Sequence, residues 1–80
     1  MEDLKLTVKE TPFYAKNFKL DCKIFKSKEK GFYIRFFSEN FVITVVVSNS
    51  KEVRNFKSLG LIYSFLKELN ISSATLVVDE

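Results

Sequence analysis

Histidine and tryptophan are missing from this chain of 80 residues, cysteine and proline occur once each, and glycine occurs twice. Side-chain chemistry near neutral pH leans on histidine, so no Ser-His-Asp or Cys-His arrangement can be assembled, and the familiar Cys/His zinc spacings fall with it. The one thiol, Cys22, has no disulfide partner in the chain and is expected to face inward as a small core residue, not to act as a nucleophile. Gly31 and Gly60 alone cannot make a glycine-rich loop that cradles a phosphate or dinucleotide. Asp21, Glu29 and Glu39 fall at turns or among lysines, where a solvated charge is the ordinary explanation. The expectation is therefore a chain that is not an enzyme, with no catalytic residues, no metal site and no cofactor.

Long apolar runs are also missing. The longest, Phe41 to Val47, is far short of the roughly 20 residues a bilayer-crossing helix needs. Met1 to Lys5 carries two acids where a secretory signal would have a basic segment followed by an apolar one. These features, with the near absence of cysteine, lead to the expectation of a soluble cytoplasmic protein with no membrane partner.

What the chain does have is apolar and aromatic material. It is 46% hydrophobic and contains nine phenylalanines, enough for one core, and residues 1–80 read as a single domain near the lower size limit for a core unaided by disulfides or metal. The formal charge of +3 is unevenly spread. Between Lys16 and Arg35 there are seven cations against two anions, whereas residues 41–80 balance.

The organising segment is Ser58 to Asn70, S-L-G-L-I-Y-S-F-L-K-E-L-N. Leu59, Ile62, Tyr63, Leu66 and Leu69 share one face at a 3.6-residue period, Ser58 is placed to cap the start, and Asn70 tolerates the left-handed turn that ends a helix. Leu61 and Phe65 add a second apolar surface beside Leu69. An arc this wide exceeds what a lone helix on a small sheet needs, so Leu61, Phe65 and Leu69 are candidate protein-binding residues, facing a partner protein or a second copy in a homodimer.

Strands are predicted around it by two-residue alternation. They are Asp3 to Lys9, Asn17 to Lys26, Phe32 to Ser38, the β-branched run Phe41 to Ser48, and Ser72 to Asp79. Pro12 marks a departure from the sheet, and Gly31 follows a turn at Ser27 to Lys30. Glu52 to Lys57 reads either as a short further strand or as an early start of the helix, with the strand preferred. The fold class is α+β: a mostly antiparallel curved sheet of five to six strands with one helix, in the C-terminal half, packed on one face.

The second and third strands form a hairpin whose outer face alternates basic and aromatic side chains. Lys19, Lys23, Phe25, Tyr33, Arg35 and Phe37 share it, fringed by Lys28 and Lys30 in the turn. This combination grips single-stranded nucleic acid, cations following phosphates while bases stack on rings. The alternative for Phe25, Tyr33 and Phe37 is a second small core beneath residues 11–16, or a dimer contact.

Arg54-x-Phe56-Lys57-Ser58-Leu59, followed by Phe65-Leu66-Lys67-Glu68-Leu69-x-Ile71, resembles the C-terminal strand and helix of small accessory proteins encoded on plasmids and other mobile elements, some of them partition- or replication-associated. The likeness covers about a quarter of the chain and departs at Gly60 and Asn70. It implies a mobile-element accessory protein and carries over no functional residue. Two functions follow: a non-catalytic protein-binding module, such as a plasmid or phage inhibitor or adaptor acting by surface occlusion, and a nucleic-acid-binding accessory protein using residues 16–37.

Overall fold

The computed structural model describes residues 2–28 and 30–78. In chain order the elements are β1 (Glu2–Leu6), α1 (Thr11–Asn17), β2 (Asp21–Lys26), β3 (Phe32–Phe37), β4 (Phe41–Val45), α2 (Leu59–Glu68) and β5 (Ala74–Val77). The strands form one sheet in the order β1-β4-β3-β2-β5. The three central strands are antiparallel neighbours, and each edge strand adds in parallel, β1 to β4 and β5 to β2. The α+β class is as the sequence predicts, with five strands and the C-terminal-half helix.

Alternation along the strands decides which side is core. Cys22 and Ile24, Ile34 and Phe36, and Phe41, Ile43 and Val45 turn to one face, where they meet Ile62, Phe65 and Leu66 of α2 and Leu69 at its C-cap. Burying side chains of this kind stabilises by about 1.5–3 kcal/mol each, and Ile34, Phe36, Ile43 and Val45 are fully inaccessible. β4 is buried along its core side and largely so on the other, where Val42 is buried and Thr44 half-buried. Its uninterrupted β-branched run is thus an interior strand, as expected.

The short helix α1 is the element the sequence reading missed, and it shortens the expected second strand from Asn17 to Asp21. Pro12 stands at its start, where a missing N–H costs nothing. Just ahead lies a turn closed by side chains: the Thr7 N–H and hydroxyl both donate to Glu10 Oε1, at 2.9 and 3.2 Å. These bonds hold the Glu10 carboxyl below the usual carboxylate range. The buried Thr11 hydroxyl donates to the Thr7 carbonyl at 2.8 Å. Tyr14 and Ala15 pack against the core, and Tyr14 meets Phe41 edge-on. Residues 11–16 therefore cover the core face and not the rings of Phe25, Tyr33 and Phe37, which removes the second small core considered for them. Phe18, within the range read as the second strand, lies in the loop after α1, where its ring stacks on Tyr14 and stays 44% exposed.

Residues 52–57 form neither a full strand nor a helix. β3 and β4 pair only over Arg35–Phe37, and the chain then passes between their diverging ends. Two isolated bridges hold it there, Val46 with Val53 and Phe32 with Phe56. Gly31 makes this approach feasible. Its φ is +119°, and a Cβ at this position would lie 2.5 Å from the Phe56 carbonyl oxygen, which accepts the Phe32 N–H. The Asn55 side chain ties the same turn by donating to the Lys30 carbonyl at 2.7 Å. Replacement Gly31→Ala is expected to lower stability by about 1–3 kcal/mol, read from the urea midpoint. An unchanged midpoint would mean that the two segments do not approach this closely.

Candidate functional site

The helix α2 begins and ends where its sequence says. Ser58 Oγ accepts the Leu61 N–H at 3.3 Å, and Asn70 takes a left-handed φ of 59°. Its rotation is the surprise. Phe65 and Leu69, expected to face a partner, are buried at 7% and 8% exposure, and the Phe65 ring stacks on Phe56 with centroids 5.8 Å apart. Of the three candidate protein-binding residues only Leu61 is exposed. Leu59 and Tyr63, expected in the core, point outward instead. Two overlapping stripes satisfy the same helical period, and the one containing Phe65 wins because the ring of Phe56 waits on the sheet side.

Turning α2 this way leaves a groove between it and β5. Its volume is about 570 Å³, and it is lined by Leu59, Ile62, Tyr63 and Leu66 from the helix, Ile71 after it, and Ile24 and Leu76 from the sheet. Leu76 and Ala74 face the same side as Ile24 and Cys22, their register partners, but lie beyond the reach of α2 and remain exposed. The signal for this groove was present in Ala74, Leu76 and Tyr63, but only the sheet order reveals that they adjoin.

The opposite face of the sheet carries no helix among the described residues. Register places Phe25 opposite Tyr33, Lys23 opposite Arg35 and Asp21 opposite Phe37, so Lys23, Phe25, Tyr33, Arg35 and Phe37 share one surface, as predicted. The rings of Phe25 and Tyr33 stack, 5.1 Å apart and inclined by 17°. Lys23 Nζ lies 4.8 Å and Arg35 Cζ 5.4 Å from the centroid of the Phe37 ring. Arg35 Nε donates to Thr44 Oγ1 at 3.2 Å, and its Nη2 stands 4.0 Å from Asp3 Oδ1. Lys19 precedes β2, whereas Lys28 and Lys30 sit in the turn beyond its other end. They flank the surface without belonging to it.

Cys22 is buried within the core, and burial pushes its thiol up to about 12 from an ordinary value near 9.0. The folded chain keeps this thiol protonated while the unfolded chain releases the proton from about pH 9, so this contribution to stability is complete below that pH and lost as pH rises toward 12. No group of three His, Cys, Asp or Glu side chains among the described residues could hold a metal ion, and no helix there is long and apolar enough to cross a membrane.

Two measurements check these placements. Phe65→Ala should cost about 3–5 kcal/mol in urea unfolding, whereas Leu61→Glu should stay within about 0.5 kcal/mol. Cys22 should resist a thiol reagent at pH 8 in the folded protein and react at once in urea, and stability should decline from about pH 9 upward.

Compared with protein-family models, with curated proteins and with solved structures, the chain matches none.

Proposed function

We propose that the domain is a non-catalytic protein-binding module that takes up an extended segment of a partner along the free edge of β5. Alternate side chains of that segment would enter the groove between β5 and α2. Backbone bonds to an unpaired strand supply affinity in this mode of recognition, and pockets for every second side chain supply selectivity.

The observation that carries the reading is the coincidence of an unguarded strand edge with an apolar groove. The two edges of the sheet are unlike. β1 bears Glu2, Asp3 and Lys5, and charges of this kind keep other strands from adding to an edge. β5 reads Ala-Thr-Leu-Val, with no charge and no proline over its paired residues. Leu59, Tyr63 and Leu76 stand exposed beside it, forming the floor and wall that an added strand would cover. Lys67 and Asn70 at the border give the apolar centre and polar rim typical of such contacts.

The test is selection from a display library of random peptides. Enriched peptides should carry apolar residues at alternate positions. Leu59→Glu, which places an acid favourably in the first turn of α2, and Tyr63→Glu should each weaken their binding at least tenfold without moving the melting temperature. Failure to enrich any peptide, or binding indifferent to both substitutions, removes the proposal. A homodimer that both substitutions dissociate would identify the partner as a second copy.

A further inference from the structure

On the helix-free face, Lys23 and Arg35 are direct cross-strand neighbours. Like charges placed opposite each other in a sheet repel, so the folded chain keeps an unfavourable pair on a face over which no helix lies among the described residues. The ring of Phe37 beneath both cations offsets part of the cost. Arg35 is held in place by Thr44 and approached by Asp3, whereas Lys23 has no anion within ion-pair distance among the described residues. An anion seated between the two cations would turn the repulsion into attraction.

What flanks the pair identifies the anion. Two residues along the hairpin in one direction lies the stacked pair Phe25 and Tyr33; two residues in the other lies Phe37. Each step is about 7 Å. The order ring, cation pair, ring matches the order base, phosphate, base in a dinucleotide whose bases are free of a complementary strand. An isolated inorganic anion would use the cations and leave the rings idle. An acidic peptide offers planar groups at that spacing only where aromatic residues flank its acid at every second position, whereas every dinucleotide offers them. Lys28 and Lys30 at the turn extend the positive potential along the path a continuing strand would follow beyond Phe25 and Tyr33, and Lys5, two strands across from Arg35 on the same face, adds to it.

We infer that the helix-free face of β2 and β3 is a binding site for single-stranded nucleic acid, with one backbone phosphate held between Lys23 and Arg35 and the adjoining bases stacked on Phe37 and on the Phe25–Tyr33 pair. It lies across the sheet from the groove between β5 and α2, so the two sites are independent. Asp3 competes with the phosphate for Arg35.

Fluorescence anisotropy tests this with labelled 12-residue oligomers of dT and of U, a DNA duplex of equal length, and heparin as a polyanion without bases. Both single strands should bind at low salt and outcompete the duplex and heparin, and a preference between dT and U would assign DNA or RNA. Phe37→Leu and Tyr33→Leu should each weaken binding about 5- to 150-fold. Lys23→Gln, at an exposed position that does not threaten folding, should reduce the slope of log affinity against log salt by about one, and Asp3→Asn should strengthen binding. No saturable binding of either single strand at low salt overturns the inference. So does equal binding of single strand, duplex and heparin that neither ring substitution changes, because that is attraction to charge alone.

Discussion

A thin layer of helix must hold down a sheet five strands wide. At about 4.8 Å per strand spacing the sheet spans roughly 20 Å, and two helices of about 10 Å diameter barely match that width. α1 has only seven residues, so the load falls on α2, whose Ile62, Phe65 and Leu66, with Leu69 at its C-cap, press on the strands. This contact fixes the rest. The helix is steered toward the middle of the sheet by Phe56, and what it leaves uncovered is the inner side of β5.

Among the described residues, three surfaces are therefore left without a covering element, and the sequence treats each differently. The β1 edge carries charges, which water solvates and other strands avoid. The β5 edge carries none, and its exposed Leu76 sits beside Leu59 and Tyr63. The helix-free face carries two cations where a sheet favours opposite signs. In a chain whose other choices agree with its fold, the positions that break local rules are the ones to suspect of work beyond stability.

The strands of the meander were legible because alternation over Phe32–Phe37 and the β-branched run of Phe41–Val45 admit one assignment each. The ends of α2 were legible through Ser58 and Asn70. Its rotation was not, because Leu59, Ile62, Tyr63, Leu66 and Ile62, Phe65, Leu66, Leu69 fit a helical period equally well, and only the partner across the core chooses between them. α1 was hidden by Pro12, read as a breaker although the same residue is favoured in a first helical turn. Residues 52–57 escaped because their pairing partners, Phe32 and Val46, belong to two different parts of the chain. That Lys23, Phe25, Tyr33, Arg35 and Phe37 share one face was legible because hairpin register follows from local sequence, whereas Lys19, expected on that face, precedes β2 because α1 shortens the strand. The groove was not, because it depends on β5 lying next to β2.

The order of the strands also separates near neighbours from distant ones. β2, β3 and β4 join through tight connections, whereas β1 reaches β4 across nearly half the chain and β5 reaches β2 across more than half. Closing loops that long costs entropy before any contact compensates it, so the meander is the natural nucleus and both edges arrive afterwards. A hairpin bearing the cations then takes shape early, while the cleft beside the last strand comes into existence only with the final docking step.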